Sequence, residues 1–458
     1  MASKLKSKKK YYEPKESFIK RMQQLLPNEN DFQEYMKIIK VELPRSIRCN
    51  TLKISPEKLK SRLEKNYNWI IKQPFKDFPE IMIIEGKKSN DNKPNNQSSN
   101  TSSISQTHKS FSDINNQSSN PPNLSQNFSS INNLPREKSW QSPIWNEIDK
   151  RTEGELIVPL NPGELGRSLE HMLGYYYIQE IASMLPVLAL NPKPNETILD
   201  LCASPGSKTT QIASRMQNTG TLIANEVSQG RINILSANLS RCGCTNVIIT
   251  KKDGMMLCKE LGGMNNNPKT QSIKKSFSIN NLSAKTSDFT SGTSKLCLSE
   301  VASNDEVDFE ANNIASLRAL SFDKILVDAP CSGEGTIRST PATNKMWNPK
   351  TITRLSKIQK NLVAAALKIL KPGGTLIYST CTHAPEENEA ILDYIKKEFD
   401  VEIEPVAASL PKELKCREGI TEWEDEKYNE EIKNACRIYP QDNNTEGFFI
   451  AKIKKLGN

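Results

Sequence analysis

Short apolar strands alternate with helices in the middle of the chain, and this alternation constrains the fold more than any other feature. The predicted strands are Thr197–Leu201, Thr221–Glu226 and Val247–Thr250, and the helices Thr209–Met216 and Gln229–Arg241 lie between them. Strands that are joined through helices run parallel, because each helix carries the chain back before the next strand begins. The pattern therefore predicts an α/β fold in which ligands bind at the carboxyl ends of the strands.

The alternation resumes nearer the C-terminus. Strand patterns occur at Phe322–Asp328, Thr375–Ser379 and Gly447–Ile453, and helix patterns occur at Thr351–Leu370 and Glu386–Glu398. Because the order of elements is the same as before, we expect these strands to join the first three in one parallel, doubly wound sheet.

Residues 14–85 carry mixed patterns that predict a small α+β module. Apolar residues recur at helical spacing before residue 40, and Pro56–Leu63 is a second helical stretch. Arg48–Lys53 and Ile81–Ile84 have the composition of strands. We therefore expect a separate folded unit ahead of the large sheet.

Two polar segments interrupt these patterns. From Ser89 to Pro135, 25 of 47 residues are Asn or Ser, and Gly262–Leu317 repeats the same character. Segments so poor in apolar residues cannot bury a core, so both are predicted to be disordered insertions between folded elements. Loops tolerate such added length at a small entropic cost.

The basic charge of the chain is concentrated at one end. The formal net charge is +9, and Met1–Arg21 alone holds seven lysines and one arginine against two glutamates. Such a tail suits a polyanionic partner such as nucleic acid, although solubilising termini have the same composition. No stretch approaches roughly 18 consecutive apolar residues and no secretory signal follows Met1, so we expect neither a membrane span nor secretion.

The ten cysteines show no regular framework along the sequence. The close pair Cys242 and Cys244 has the wrong spacing for a zinc knuckle, so no metal site is predicted. Unpatterned cysteines in a chain of this size favour reduced thiols and an intracellular location, in the nucleus or the cytoplasm.

A Pro-Gly loop, Cys202–Lys208, follows the first predicted strand of the large sheet and opens a helix. The loop is neither a P-loop nor the three-glycine dinucleotide fingerprint, so alone it is a weak signal. Glu226 ends the next strand 20 residues after Gly206, the spacing at which an acid meets ribose hydroxyls in nucleoside-binding sheets. With Asp253 after the third strand, the set predicts a nucleoside-like ligand, although each acid taken singly also fits a solvated strand end.

Two cysteines stand just after the fourth and fifth predicted strands. Cys331 follows Asp328 and Pro330, and Cys381 follows Ser379 and Thr380. A cysteine is most often a small buried hydrophobe, but these two lie where the site of such a sheet must be. A thiolate is a strong nucleophile, and beside a nucleoside-like methyl donor it can add to an unsaturated ring that is otherwise too unreactive to be alkylated at carbon.

These motifs closely resemble those of the Sun-type RNA cytosine-5 methyltransferases, and the resemblance covers nearly all of the chain except the basic tail and the two insertions. The matching segments are Arg48–Lys53 (RCNTLK), Cys202–Thr209 (CASPGSKT), Asp328–Thr336 (DAPCSGEGT), Ser379–Cys381 (STC) and Glu446–Lys452 (EGFFIAK). The resemblance implies a Rossmann-like class I methyltransferase sheet with a small N-terminal α+β RNA-binding module.

The same resemblance implies S-adenosylmethionine as the methyl donor. By match, Glu226 holds its ribose, Asp253 contacts its adenine, and Asp328 lies between the donor and the target base. The implied cofactor-binding residues are Cys202, Ala203, Ser204, Pro205, Gly206, Ser207, Lys208, Glu226, Arg231, Asp253 and Asp328.

The resemblance also implies the catalytic residues Cys381, Cys331 and Asp328. Cys381 corresponds to the nucleophile, which would add to carbon 6 of cytosine while Asp328 hydrogen-bonds or protonates ring nitrogen 3. Carbon 5 then becomes nucleophilic enough to take the methyl group, giving 5-methylcytosine. Cys331 corresponds to a second thiol that acts in product release.

RNA is the partner that the resemblance implies, and a monomer is expected. The compact N-terminal module and the ending Glu431–Pro440 are most similar to archaeal-type tRNA members, which favours tRNA. Bacterial ribosomal RNA members share Gly335-Thr336 and Arg338, so ribosomal RNA is possible. Arg338 and Lys345 are candidate phosphate contacts.

The sequence departs from the family pattern in two places. Ser207 stands where many members have glycine, and a small residue there should be tolerated. Thr340–Asn344 does not match a basic base-recognition loop, which leaves the choice of target open.

The patterns divide the chain into six segments. These are a basic tail (1–13), the N-terminal α+β module (14–87), an Asn/Ser-rich insertion (88–138), the first part of the methyltransferase domain (139–261), a second insertion (262–317) and the second part of that domain (318–458).

Two other functions remain open at this point. A DNA cytosine methyltransferase would use Cys331 as its nucleophile and would leave Cys381 without a role. An RNA-binding assembly factor could keep the fold without the chemistry, although both thiols, Asp328 and an intact donor loop argue against that loss.

Overall fold

The computed structural model of the protein describes residues 12–88, 157–262 and 321–457. The helices are α1 (Glu16–Leu25), α2 (Glu29–Ile38), α3 (Pro56–Tyr67), α4 (Glu164–Arg167), α5 (Leu169–Met172), α6 (Ile181–Leu190), α7 (Ser207–Arg215), α8 (Gln229–Cys242), α9 (Gly254–Gly262), α10 (Ala342–Met346), α11 (Pro349–Ile369), α12 (Glu389–Glu398) and α13 (Pro440–Asn443). The strands are β1 (Arg45–Cys49), β2 (Trp69–Lys72), β3 (Ile81–Lys88), β4 (Ile157–Val158), β5 (Tyr176–Ile178), β6 (Thr197–Asp200), β7 (Thr221–Asn225), β8 (Val247–Thr250), β9 (Phe322–Asp328), β10 (Leu370–Thr380), β11 (Val401–Glu404), β12 (Arg417–Glu418), β13 (Glu422–Trp423), β14 (Glu426–Lys427), β15 (Cys436–Ile438) and β16 (Phe448–Lys455). Within these ranges, no helix combines the length and apolar composition that a membrane span requires.

Apart from their boundary residues, the basic tail and the two predicted insertions lie outside the described ranges. The disorder predicted for the two insertions therefore stays a prediction.

The larger sheet has nine strands, in the order β12-β15-β16-β10-β9-β6-β7-β8 with β11 paired to β16. The strands β10, β9, β6, β7 and β8 are parallel. Helices cover both faces: α9, α11 and α12 pack on one side, and α6 and α7 pack on the other. This burial on both faces explains why the central strands read as continuous apolar runs. The strand order reverses at β6, which places a ligand crevice at the carboxyl end of that strand.

The predicted α/β class is confirmed, but the prediction of a wholly parallel sheet is wrong. β16 runs antiparallel to β10, with Leu376 opposite Ile453, and β11 and β15 pair antiparallel with β16. A parallel neighbour needs a crossover connection, whereas β15 and β16 are joined by a short segment that holds only α13. The chain therefore turns back after β15, and β16 runs beside β15 in the opposite direction.

The smaller sheet has five strands, in the order β2-β3-β1-β5 with β4 paired to β3. β1 lies between β3 and β5, with Ile47 opposite both Met82 and Ile178. Residues 157–178, which the sequence patterns assigned to the methyltransferase domain, thus supply β4 and β5 to the N-terminal sheet. They do so because β1 and β3 would otherwise leave backbone edges unpaired.

The hairpin of α1 and α2 packs away from the smaller sheet, against loops of the larger domain. Its apolar face buries Phe18, Met22 and Tyr35 in a cluster that includes Trp347 and Tyr439. The rings of Phe18 and Trp347 meet edge to face with centroids 5.5 Å apart. Residues 16–39 therefore help to hold loops that follow β9 and precede β16.

The expectation that all cysteines are reduced is wrong for one pair. Cys416 and Cys436 form a disulfide with their Cα atoms 5.5 Å apart. Cys416 directly precedes β12, and Cys436 lies on β15, which pairs with β12. The two thiols are 20 residues apart in sequence and are brought together only by this strand pairing. The other seven cysteines of the described ranges are free.

Replacing Phe18 by Ala should lower the free energy of unfolding by about 3–5 kcal/mol, because it leaves a cavity beside Trp347. Urea denaturation of the full chain measures this change. Met172→Ala, at a side chain that is 60% exposed, is the control and should change stability by less than about 0.5 kcal/mol. Equal effects of the two changes would contradict the packing of the hairpin on this domain.

Candidate active site

The chain turns sharply between β6 and α7. The N–H of Gly206 donates to the carbonyl oxygen of Ala203 at 2.8 Å, and Gly206 has a φ of +100°, which favours glycine. A Cβ at this position would also lie 2.9 Å from the side chain of Leu235. Ser207 is the first residue of α7, so its departure from the glycine of the family pattern costs nothing in backbone conformation.

A cavity of about 250 Å³ lies at the carboxyl end of β6. It is lined by Ser183, Asp200, Cys202, Ala203, Ser204, Pro205, Ser207, Lys208 and Asp328. The Pro-Gly loop and Asp328, which lie far apart in sequence, therefore border one space. A larger cavity of about 600 Å³, lined in part by Thr51, Lys193 and Arg215, contains none of the predicted site residues.

Asp328 is held between the Pro-Gly loop and β10. Its Oδ2 accepts a hydrogen bond from Lys208 Nζ at 2.8 Å, and its Oδ1 accepts one from Ser379 Oγ at 2.8 Å. Lys208 Nζ also donates to Ser183 Oγ at 3.0 Å and lies 5.3 Å from the ring centroid of Phe448. Both oxygens of Asp328 are thereby oriented by groups from separate elements.

Asp200 is a candidate site residue that sequence reasoning missed. Its side chain is buried, its Oδ2 accepts from Thr209 Oγ1 at 2.7 Å, and its Oδ1 has no hydrogen-bond partner. Burial raises the pKa of Asp200 to about 7, against the hydroxyl of Thr209, which lowers it. A buried acceptor without a partner is costly unless a ligand satisfies it. The available signal was its position two residues before Cys202, at the last residue of β6.

Arg48 ties the N-terminal sheet to the first turn of α7, a role that the sequence did not reveal. Its guanidinium is buried and donates to the carbonyl oxygen of Ser207 at 2.7 Å and to Thr210 Oγ1 at 2.8 Å. It also donates to Gln179 Oε1 at 2.5 Å. Arg48 therefore supports the end of the Pro-Gly loop through its contacts with Ser207 and Thr210.

Glu226 and Arg231 form a bridge over the same loop. Glu226 directly follows β7 and is buried, and its Oε2 lies 3.3 Å from Arg231 Nη1. Arg231 Nη2 donates to the carbonyl oxygen of Ser204 at 2.7 Å, while Ser204 Oγ donates to the carbonyl oxygen of Arg231 at 2.9 Å. The structure thus brings both predicted residues against the Pro-Gly loop.

Asp253 lies at the end of the next parallel strand and has a local structural function. Its Oδ1 accepts from the backbone N–H groups of Met255 and Met256 at 3.0 and 3.2 Å, which caps the start of α9. The side chain is exposed and does not line the 250 Å³ cavity. Its Oδ2 is not used by this cap.

The two predicted thiols meet at the ends of β9 and β10. Cys331 Sγ and Cys381 Sγ are 3.2 Å apart, and the N–H of Cys381 donates to Cys331 Sγ at 3.3 Å. The hydrogen bond with Cys381, together with burial, raises the pKa of Cys331 well above its ordinary value. Two thiols this close cannot both ionise readily, so Cys331 stays protonated when one thiolate forms.

The suggested phosphate contact of Arg338 is wrong. Its side chain is buried, and its guanidinium donates to backbone carbonyls of Val41 and Thr445 at 3.1 and 2.9 Å and to Asn444 Oδ1 at 2.7 Å. Because Nε, Nη1 and Nη2 of Arg338 all donate to these internal acceptors, the guanidinium does not present a pair of N–H groups to an RNA phosphate. Lys345 is exposed on α10, and its contact with phosphate stays a prediction.

A family model described as 16S rRNA methyltransferase RsmB/F matches residues 187–269 and 270–454. The tRNA (cytosine(49)-C(5))-methyltransferase of Pyrococcus abyssi is 38% identical over 290 residues, which are 63% of this chain and 73% of that protein. Ribosomal RNA small subunit methyltransferase F of Escherichia coli is 35% identical over 295 residues, 64% of this chain. The matched region spans only 47% of that second relative.

Solved structures show the same architecture. A methyltransferase homolog protein from Pyrococcus horikoshii superimposes with a TM-score of 0.59 at 26% identity, over 96% of this chain and 95% of that chain. NSun6 from Pyrococcus horikoshii with SFG gives a TM-score of 0.59 at 21% identity, over 97% and 99% of the two chains, and shows the fold alone. With the family model across most of its length and the motifs gathered at one end of one sheet, the chain belongs to the RsmB/F family, the Sun-type RNA cytosine-5 methyltransferases that use S-adenosylmethionine.

Proposed function

We propose that this chain makes 5-methylcytosine in RNA, with tRNA as the favoured substrate, through a covalent bond between Cys381 Sγ and carbon 6 of the base. One observation carries the proposal. The two thiols lie 3.2 Å apart at the ends of adjacent parallel strands, and Ser379, two residues before Cys381, binds the Asp328 carboxylate that borders the cavity.

The residues around the cavity fit the groups of S-adenosylmethionine. The unpartnered Oδ1 of Asp200 suits the α-amino group, and the N-terminus of α7 suits the carboxylate. Glu226, at the end of β7, suits the ribose hydroxyls, and the free Oδ2 of Asp253 suits the adenine edge. When bound, the cofactor supplies an electrophilic methyl group on a sulfonium sulfur.

The protein side of the reaction begins with addition. The thiolate of Cys381 forms a bond to carbon 6, and the electrons of the 5,6 double bond move toward ring nitrogen 3. A proton shared between Asp328 and that nitrogen holds the charge that develops, and the Lys208 ammonium, 2.8 Å from Asp328 Oδ2, offsets it. Carbon 5 thereby becomes nucleophilic enough to take the methyl group.

Release reverses the addition. Carbon 5 gives its proton to a water molecule acting as the base, the electrons of that C–H bond re-form the 5,6 double bond, and Cys381 leaves as a thiolate. Cys331 is placed to act at this stage because its sulfur lies 3.2 Å from that of Cys381. Its raised pKa keeps a proton on Cys331 that can be shared with the departing sulfur.

The base must leave its stack before Cys381 can reach carbon 6, because the thiolate approaches from a face of the ring. Substrate cytosines should therefore lie in loops, bulges or flexible junctions. The higher identity to the tRNA enzyme, and its fuller coverage at 73% against 47%, support tRNA over ribosomal RNA.

Cys381→Ala should lower methyl transfer by more than about 1,000-fold and should form no covalent RNA complex, because addition cannot occur. Cys331→Ala should add to the base and transfer the methyl group but release product slowly. Labelled RNA run on a denaturing gel with the methyl donor separates the two, since only Cys331→Ala should give a slower band. A band from Cys381→Ala and none from Cys331→Ala would assign the nucleophile to the Pro330-Cys331 thiol instead.

Asp200→Asn should weaken binding of S-adenosylhomocysteine at pH 8 by about tenfold, as for loss of a charged hydrogen-bond partner. The pKa of Asp200 is raised to about 7, so its carboxylate forms, and wild-type affinity rises, between pH 6 and 8. Without ligand, the free energy of unfolding changes with pH in the opposite direction to the affinity. The raised pKa of Asp200 gives the folded state extra stability that is fully present below pH 3.8 and is lost as the pH rises through 7.

Calorimetry across this pH range tests the assignment. The control ligand is 5′-methylthioadenosine, which lacks the amino-acid end and should bind wild type and Asp200→Asn equally. Equal affinities of the two proteins for S-adenosylhomocysteine at pH 8 would remove Asp200 from the site.

Substrate choice is tested by offering the purified chain a tRNA pool and a 16S ribosomal RNA fragment with labelled methyl donor. We expect label in tRNA, at cytosines that bisulfite sequencing then reports as protected. Label confined to the ribosomal fragment would overturn the preference for tRNA and leave the reaction intact.

A further inference from the structure

The residues that follow the two thiols are joined by their hydroxyl groups. Ser332 Oγ and Thr382 Oγ1 are 2.8 Å apart, one residue beyond Cys331 and Cys381. The side chain of Thr382 is only 1% exposed, so water cannot substitute for a lost partner. The mechanism above gives neither hydroxyl a role.

The direction of each hydrogen bond at Thr382 follows from proton counting. Its hydroxyl donates to Glu334 Oε2 at 3.1 Å. A hydroxyl has one proton, so Ser332 must donate to Thr382. The backbone N–H of Ala384 also donates to Thr382 Oγ1, at 3.2 Å. One side chain thus links the two thiol loops to a single acid.

Glu334 is itself held from two directions. Trp347 Nε1 donates to its Oε1 at 2.6 Å, and Arg21 Nε of α1 lies 3.9 Å from the same oxygen. Burial raises the pKa of Glu334, and Arg21 acts against that shift. Arg21 also pairs with Glu386 in the 3-10 helix that follows the Cys381 loop. The acid that orients Thr382 is therefore anchored to the N-terminal hairpin.

A second buried acid fixes the other loop. Glu387 Oε2 accepts from the N–H of Ser332 at 3.0 Å and from Gln359 Nε2 at 2.7 Å. Gln359 Nε2 also donates to the carbonyl oxygen of Pro330 at 2.8 Å. The peptide groups on both sides of Cys331 are thus tied down, and the Ser332–Thr382 bond is a side-chain link from this loop to the Cys381 loop.

We propose that Thr382, oriented by Glu334 and bonded to Ser332, is a positioning residue that sets the distance between the Cys331 and Cys381 sulfurs. This inference rests on the proposed function for its consequence, since the spacing matters only if both thiols act on one base. The spacing itself can be measured without RNA or cofactor.

Thr382→Val and Thr382→Ser separate the hydroxyl from the rest of the side chain. Val keeps the shape and removes the hydrogen bonds to Ser332 and Glu334, whereas Ser keeps the hydroxyl and removes a methyl group. The matched control is Thr250→Val, at a buried threonine on β8 whose hydroxyl donates to Asn225. β8 is separated from β9 by β6 and β7.

Phenylarsine oxide reports the spacing directly. Its arsenic(III) atom forms two As–S bonds when two thiols lie within reach of one atom, and the oxygen and both thiol protons leave as water. Peptide mapping assigns the chelate to Cys331 and Cys381, and the variants Cys331→Ser and Cys381→Ser show the background. We expect tight chelation in wild type, Thr382→Ser and Thr250→Val, and at least about tenfold weaker chelation in Thr382→Val.

Equal chelation by Thr382→Val and wild type would overturn the proposal. Circular dichroism melts show whether Thr382→Val folds; if it does not, Ser332→Ala removes the same link and must give the same loss for the proposal to stand. In steady-state assays of methyl transfer, Thr382→Val should have a lower kcat and an unchanged KM for RNA, because the spacing acts in product release. If wild type modifies no RNA yet the chelation pattern holds, the proposed function fails and the positioning role remains.

Discussion

The carboxylate of Asp328 is the point at which the parts of this site meet. One oxygen accepts a hydrogen bond from Lys208 of the Pro-Gly loop, and the other accepts one from Ser379, two residues before Cys381. Because Asp328 is also the last residue of β9, it fixes the loop after β6 against the ends of two neighbouring strands. The proposed mechanism needs the methyl donor and the Cys381 thiol at one base, and this requires that these three strand ends keep their relative positions.

Local patterns predicted most of the central sheet. The strands β6, β7, β9 and β10 are largely buried, so their apolar runs and flanking turns are visible in the sequence, as at Thr221–Asn225 and Phe322–Asp328. Strand direction could not be predicted from these local patterns. β16 has the same local pattern as its parallel neighbours, and only its short connection to β15 makes it antiparallel.

The gathering of the candidate site residues could be predicted because they stand at the ends of parallel strands, which meet at one edge of the sheet. What the sequence could not show depends on long-range contacts. Other elements of the fold bury Asp200, so one of its oxygens reaches neither water nor a protein donor. Arg338 turns inward and donates to carbonyl oxygens that lie about 100 or more residues away in sequence. Asp253 caps the start of α9 with one carboxylate oxygen, a local role that the sequence analysis did not predict.

The central claim is that Cys381 attacks carbon 6 of a cytosine in RNA. An RNA substrate with 5-fluorocytosine at the target position tests it most directly, because fluorine at carbon 5 leaves no proton to eliminate and the adduct persists. Digestion of the complex and peptide mapping by mass spectrometry then locate the attached nucleotide. The account predicts a methylated fluorocytosine on Cys381, formed only with the methyl donor present; attachment to Cys331 would contradict it.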